Sequence, residues 1–305
     1  MDKQKIIVIA GPTATGKSSL AIELAEIFNG EIINADSMQV YKYMDIGTAK
    51  PSAKDLSRVP HHLIGIAEPD EEYTAARFRS DAVKKIEEIS GRGRTPFIAG
   101  GTGLYIRALT EGLFKGPKGC GELREGLRKE ALEKGGPYLH GMLKSVDPVT
   151  ASSIHPNNTV RVIRALEVFK LTGKPISEFH REHGFSEEPF DSLKIGLAID
   201  RERLYGRIEE RVEMMINSGL IGEVQVLGDR GYAWGLKPMC ALGYKEISMY
   251  LRVECGIEEA KALLKRNTRH YAKRQLTWFR RDPEIRWFSP DEKNGIIELV
   301  KEHLK

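Results

Sequence analysis

Cysteine is scarce in this chain: three residues in 305, Cys120, Cys240 and Cys255, odd in number and far apart. That pattern excludes a disulfide framework and offers no zinc-binding spacing. Long hydrophobic runs are missing too, and none approaches the ~20 apolar residues of a membrane-spanning helix. No membrane partner is therefore expected. Charge of one sign does not dominate: 47 Lys and Arg stand against 43 Asp and Glu, a net +4. Residues 1–5 lead straight into an apolar run and leave no room for a signal peptide, so the expected setting is cytoplasmic. The remainder is ordinary for a globular chain, 41% hydrophobic and 8% aromatic. Its length suffices for one large or two modest domains.

The most informative stretch is Gly11-Pro12-Thr13-Ala14-Thr15-Gly16-Lys17-Ser18. It follows the apolar run Ile6-Ile7-Val8-Ile9-Ala10 and opens an amphipathic segment, which is strand, glycine-rich loop, helix. The spacing is that of a phosphate-binding loop. Glycines let backbone N–H groups close around phosphate oxygens, the helix N-terminus adds its dipole, and Lys17 supplies a point charge. The Ser18 hydroxyl follows at the position where Mg²⁺ is held. A ligand carrying a di- or triphosphate is expected here.

Strand and helix signals alternate through the first hundred residues. Residues 31–35 read as a second strand and 96–99 as a third. Between them Ala75, Phe78, Ala82, Ile86 and Ile89 recur at helical spacing. This argues for a parallel, doubly wound sheet with ligands at the carboxyl ends of its strands. The glycine-rich segment 115–121 reads as a linker. Beyond it, residues 122–183 look helical and highly charged, and 192–200 alternate like a strand returning to the sheet. From residue 202 the chain reads as helical to about 281, broken near 228–238. The expected organisation is a core in two parts, 1–115 and 191–305, with an all-helical insertion at 116–190.

Three further features carry chemistry. Asp36 stands at the end of the second strand, beside the phosphate loop, where an acid can hold Mg²⁺, fix a substrate hydroxyl or accept a proton; a helix cap is the alternative use of an Asp followed by Ser37. The third strand ends in Gly100-Gly101-Thr102-Gly103 and lacks the acid with which hydrolysing NTPases help hold Mg²⁺. Its glycines invite close approach by a backbone or a flat ligand. Finally, residues 260–286 hold nine Lys and Arg against Asp282 and Glu284. Arg266, Arg269, Lys273 and Arg280 run along one helical face, interleaved with Tyr271, Trp278 and Phe279. Cations beside aromatic rings suit looped or single-stranded RNA.

Taken together, these strings resemble the bacterial tRNA dimethylallyltransferases, also called isopentenyl-diphosphate:tRNA isopentenyltransferases. The matching stretches are GPTATGKS at 11–18, DSMQVY at 36–41, MDIGTAKP at 44–51, PHHLI at 60–64 and GGTGLYIRAL at 100–109. They continue with HPNNTVRVIRALEV at 155–168, RIEERVEMM at 207–215, GYKEI at 243–247 and KRQLTWFR at 273–280. Two positions depart from the family pattern: Tyr43 stands where Gly is usual, and Gly65 where Asp is common.

The resemblance implies a P-loop NTPase-like α/β fold and transfer of a dimethylallyl group from dimethylallyl diphosphate to N6 of the adenosine 3′ of the anticodon. The tRNAs concerned read codons beginning with U. It further implies Asp36 as general base, Thr13 and Arg211 as supports of the departing diphosphate, and Mg²⁺ on Ser18. The implied tRNA-contacting positions are Asp36, Ser37, Met38 and Gln39; Thr102; Arg124; and Val160, Arg161, Val162, Ile163 and Arg164. Gly243, Tyr244 and the run Lys273, Arg274, Gln275, Leu276, Thr277, Trp278, Phe279, Arg280 complete the set. The partner would be the tRNA anticodon stem-loop and the expected state a monomer. Two other readings share parts of this pattern: a small-molecule P-loop kinase with Asp36 on the acceptor hydroxyl, and a nucleotide-gated RNA-binding protein without catalysis.

Overall fold

Five consecutive residues of the first strand, Ile6 to Ala10, are fully buried without alternation, which marks a strand covered on both faces. The computed structural model describes residues 3–114, 116–184 and 187–305. In chain order the first elements are β1 (Gln4–Ala10), α1 (Lys17–Ile27), β2 (Gly30–Asn34), α2 (Ala53–Arg58), β3 (His61–His62), α3 (Ala75–Gly91), β4 (Thr95–Ala99) and α4 (Gly103–Thr110). Five helices follow: α5 (Gly121–Lys134), α6 (Gly136–Val146), α7 (Pro148–Ser153), α8 (Thr159–Thr172) and α9 (Ile176–His183). The chain closes with β5 (Phe190–Leu197), α10 (Arg201–Asn217), α11 (Leu220–Asp229), α12 (Tyr244–Leu251), α13 (Ile257–Phe279), β6 (Arg286–Phe288) and α14 (Lys293–Leu304).

All strands are parallel, in the order β3-β2-β4-β1-β5-β6. Because β1 leads to β2 on one side and lies against β5 on the other, the order switches at β1, where such sheets bind ligands. Side chains of β1 alternate between two cores. Ile7 and Ile9 join Leu20 and Leu24 of α1 and Ile296 and Val300 of α14. Ile6, Val8 and Ala10 join Phe78 of α3, Ile247 of α12 and Leu264 of α13. The helix α3 buries Phe78, Ala82, Ile86 and Ile89 at the expected spacing, with the Thr74 hydroxyl accepting the Arg77 amide as its cap.

Two edge strands escaped sequence reading. His61–His62 is too short to show a period, and its place depends on a distant group: His62 Nε2 lies 2.6 Å from a carboxylate oxygen of the buried Glu31. Arg286–Phe288 pairs with Ile195 to Leu197. There the buried Lys194 of β5 meets Asp282 at 2.9 Å and Glu284 at 2.8 Å. The helical stretch after residue 202 is broken at 218–219 and 252–256 as well as across 230–243.

Residues 1–110 and 188–305 form one compact unit and residues 111–187 the other. Two expected boundaries shift. Phe190 belongs to the sheet because β5 begins there, opposite Gln4, and Gly121 already opens α5. Lys115, at the expected end of the first core part, and Phe185 and Ser186 of the expected insertion lie outside the described residues.

The second unit is helical among its described residues, with Leu127, Leu139, Leu143, Val162, Leu166 and Ile176 in its core. Its polar centre is Glu167, fully buried, which accepts the Cys120 amide at 2.7 Å and pairs with Arg124 at 2.8 Å and with Arg164. Arg164 also donates to the Pro117 carbonyl at 3.1 Å. Burial would push Glu167 up, but these donors hold it below the usual carboxylate range.

Candidate active site

The phosphate loop is shaped by its backbone. Gly11 has φ +136°, and a Cβ there would lie 2.6 Å from the Leu197 carbonyl oxygen; Gly16, at φ +95°, caps α1 in the left-handed region. The Pro12 carbonyl accepts from Lys17 Nζ and, at 2.9 Å, from Thr15 Oγ1. Ser18 is exposed in the first turn of α1. Burial pulls the Lys17 ammonium down to about 7, the positive charge of Arg211 adds to this, and Asp36 opposes it. Arg211, from α10, is lowered as well, by burial, against the attraction of Asp36. Two cations set against the single carboxylate of Asp36 leave an excess of positive charge that favours a polyanion.

Asp36 follows β2. Its Oδ1 accepts the Met38 amide at 2.8 Å and the Gln39 amide at 3.4 Å, while Oδ2 has no hydrogen-bond partner among the described residues. The turn is braced on both sides. Ser37 N–H donates to Thr102 Oγ1 at 2.9 Å, and Gln39 Nε2 donates to the Thr48 and Ala49 carbonyls at 3.1 and 3.0 Å. The neighbouring loop is anchored by Glu223, whose carboxylate accepts the amides of Asp45, Ile46 and Gly47 at 2.9, 2.7 and 3.0 Å and the Tyr244 hydroxyl.

Two cavities meet here. The larger, about 1160 Å³, runs along the phosphate loop and is lined by Lys17, Ser18, Thr48, Arg207 and Met214. The smaller, about 510 Å³, opens toward α13 and is lined by Met38, Val212, Leu242, Leu264 and Arg274. Thr13, Asp36, Thr48, Arg211, Met215 and Tyr271 line both. Burial, with Asp36 adding to it, raises the Tyr271 phenol and keeps it protonated.

The glycine-rich end of β4 is filled by protein. A Cβ on Gly100 would lie 2.2 Å from the Ala35 carbonyl oxygen, one on Gly101 2.2 Å from Gln275 Nε2, and one on Gly103 2.2 Å from the Trp278 indole. The close approach expected of these glycines is made by the β2 turn and by α13.

Thr13, Lys17, Asp36 and Arg211 thus converge, with Ser37, Met38, Gln39 and Thr102 at the same end of the sheet. Several expected RNA-contacting side chains are interior instead. Tyr244 and Phe279 are core residues, Gln275 is buried, and Gly243 is buried as the N-cap of α12. In the second unit Val162 and Ile163 are core, Arg124 and Arg164 hold Glu167, and Val160 and Arg161 are exposed. The reason is helical period: a contiguous run on a helix must turn some members inward. Along α13, Lys273, Arg274, Thr277 and Arg280 remain exposed and Leu276 and Trp278 half-buried. Arg269 is engaged by Glu209 at 2.9 Å and Lys265 by Glu213. Sequence reasoning missed Glu223, which sits in no recognisable spacing, and gave no role to Arg207, although Arg207 opens the matching stretch at 207–215 and lines the larger cavity.

Tyr43 has φ +65°, a left-handed conformation that glycine adopts without strain, and its ring lies under the Arg230 guanidinium at 4.0 Å. The departure from the family pattern is thus a local one.

No group of three or more metal-ligating His, Cys, Asp or Glu occurs among the described residues. No helix among them is long and apolar enough to cross a membrane.

A parallel sheet with a phosphate loop after β1 and a carboxylate at the next strand's end defines a P-loop NTPase-like α/β protein. The IPP transferase family model matches residues 39–282, and an isopentenyl transferase model matches residues 4–64. Over 303 residues the chain is 55% identical to a tRNA dimethylallyltransferase of Geotalea uraniireducens, covering 98% of each. A tRNA dimethylallyltransferase of Geobacter sulfurreducens is 52% identical over 93% of this chain and 92% of its own. Among solved structures, the tRNA isopentenylpyrophosphate transferase of Bacillus halodurans superimposes with a TM-score of 0.74 at 42% identity, covering 99% of this chain and 97% of that one. A eukaryotic dimethylallyltransferase acting on tRNA gives a TM-score of 0.75 at 34% identity, over 90% of this chain and 69% of that one. The chain belongs to the IPP transferase family.

Proposed function

We propose that this protein transfers the dimethylallyl group of dimethylallyl diphosphate to the exocyclic N6 of the adenosine 3′ of the anticodon, in tRNAs reading codons beginning with U. The observation that carries this reading is the junction of the two cavities, where the Asp36 carboxylate and the Arg211 guanidinium line both and Lys17 lines the larger. The diphosphate lies along the loop in the larger cavity, and the target base, flipped from its stack at a cost of a few kcal/mol, enters the smaller one.

Adenine N6 is a weak nucleophile because its lone pair is delocalised into the ring. As N6 bonds to C1 of the allyl group, the C1–O bond breaks and its electrons leave with the diphosphate. The N6 proton passes to Asp36 Oδ2, an assistance worth ~10²–10⁴-fold. Thr13, Lys17, Arg211 and the loop amides meet the charge that develops on the leaving oxygens. The Ser18 hydroxyl, exposed and beside the loop, fits Mg²⁺ held chiefly by substrate phosphate oxygens, a donor set this ion favours. Bound there, Mg²⁺ would neutralise part of the diphosphate charge. No acid is needed at the end of β4, since no water is activated. Lys273, Arg274 and Arg280 on α13 and Arg161 in the helical unit supply cations for the RNA backbone. The protein acts as a cytoplasmic monomer, the setting in which tRNA is met.

The test is mass spectrometry of tRNA nucleosides after incubation with dimethylallyl diphosphate and Mg²⁺. A prenylated adenosine confined to tRNAs reading codons beginning with U is expected. ATP consumption with small acceptors, and no prenylated nucleoside, would sink the reading in favour of a kinase.

A further inference from the structure

Gln275 is only 6% exposed, and both ends of its amide are engaged. Oε1 accepts the Thr13 backbone N–H at 2.9 Å, and Nε2 donates to the Gly101 carbonyl at 2.8 Å. Backbone amides of a phosphate loop ordinarily face the anion. This one is turned to a helix 262 residues away in sequence. The orientation of the Thr13 peptide is therefore set by α13, while the residue itself stands at the wall common to both cavities. The fit is close: a methyl on Gly101 would lie 2.2 Å from Nε2. On the same helix, Lys273, Arg274 and Thr277 flank Gln275 and face solvent.

We propose that Gln275 is a positioning residue, holding Thr13 for the departing diphosphate and tying it to the helix whose outer face carries cations for RNA. This rests on the reading of Thr13 as a diphosphate support. Gln275 does not itself touch tRNA.

Leucine at 275 keeps the volume and removes both bonds. Glutamate keeps an acceptor for the Thr13 amide but sets a carboxylate oxygen against the Gly101 carbonyl. Full-length Gln275→Leu and Gln275→Glu are compared with wild type by steady-state kinetics, by affinity for inorganic diphosphate with Mg²⁺, and by melting. A misplaced loop predicts a kcat loss of about 10²-fold for Gln275→Leu, weaker diphosphate binding, and a smaller loss for Gln275→Glu. The KM for tRNA stays within about twofold of wild type, as expected when no RNA contact is removed. Wild-type kcat per folded molecule, or a raised tRNA KM at unchanged kcat, overturns the proposal. Should Gln275→Leu fail to fold, a double-mutant cycle of Gly101→Ala with Gln275→Ala decides. Gly101→Ala displaces the Gln275 amide, so losses in kcat should be strongly non-additive, and additive losses refute the link. A failure of the functional reading looks different: wild type would give no prenylated nucleoside, while diphosphate would still bind it more tightly than the Gln275→Leu protein.

Discussion

Asp36 Oδ1 accepts the Met38 amide at 2.8 Å, so one carboxylate oxygen builds the turn that aims the other. The two duties separate by substitution. Asp36→Asn keeps an oxygen for Met38 and loses the base. We expect at least ~10²-fold lower kcat, with tRNA affinity in filter binding unchanged. Asp36→Ala also loses the local hydrogen bond, about 1 kcal/mol by the measure of helix caps, and should melt lower as well. Near-normal single-turnover transfer by Asp36→Asn would remove this residue from its role.

Arg211 is held among protein atoms with Asp36 as its opposing charge. Its loss should act on the leaving group. Arg211→Ala is expected to lower kcat by about 10²-fold, the scale of one preorganised transition-state donor, and to weaken product inhibition by diphosphate. If only the tRNA dissociation constant moved, the residue would be an RNA contact instead.

Lys17 gives a pH signature with a defined sign. In the free protein burial and Arg211 bring it to about 7 from an ordinary 10.5. Bound diphosphate, being anionic, raises it again. Above pH 7 binding therefore takes up a proton at Lys17, and affinity falls as pH climbs; below 7 the lysine is already charged and its contribution to the slope vanishes. Calorimetry at pH 8 in buffers of different ionisation enthalpy should show an uptake that Lys17→Met lacks. Folding responds in the same window. The unfolded chain holds the extra proton between about 7 and 10.5, so this group's contribution to unliganded stability rises with pH there. Lys17→Met should melt higher than wild type at pH 7 without ligand, and the gap should close toward pH 10. An equal gap at both pH values would contradict the assignment.

Glu223 organises the loop at 45–47 through three backbone amides and Tyr244. Glu223→Gln turns an NH₂ toward donors and strands at least one amide, a cost of about 1–3 kcal/mol. We expect a lower melting temperature, faster proteolysis near residue 46 and a raised KM for dimethylallyl diphosphate, because Ile46 lines the larger cavity. An unchanged KM would separate this anchor from the site.

In the helical unit, Glu167→Leu leaves Arg124 and Arg164 without the carboxylate that holds them. Breaking a buried ion pair typically costs about 3–5 kcal/mol. Hydrogen exchange of the helices from 121 to 183 should rise sharply. Unaltered protection there would show that the arginines find other partners.

Local grammar made much of this legible beforehand. The strand, loop and helix around Gly11 to Ser18 announce themselves within twenty residues, as does the period of α3. Asp36 could be singled out because strand end and phosphate loop must converge in a parallel sheet. What stayed hidden depends on residues far apart in the chain. His61 and His62 form a strand only because β2 offers an edge and Glu31 a partner. A run such as Lys273 to Arg280 suggests one surface, yet helical rotation sends Gln275 and Phe279 inward. Glu223 has no motif at all, since its partners are backbone amides that any sequence possesses. The helix-to-core split was visible as a change of composition, but its edges were not, because Phe190 is distinguished only by lying opposite Gln4.

The row Gly100, Gly101, Gly103 behaves as a ruler with three marks. Each missing methyl is replaced by a different visitor: the backbone after β2, the clamp on the phosphate loop, and the indole of α13. Alanine placed at each of the three glycines would therefore disturb, in turn, the turn that carries Asp36, the tie between Thr13 and α13, and the seat of the Trp278 indole. One short stretch of chain sets the spacing among all three.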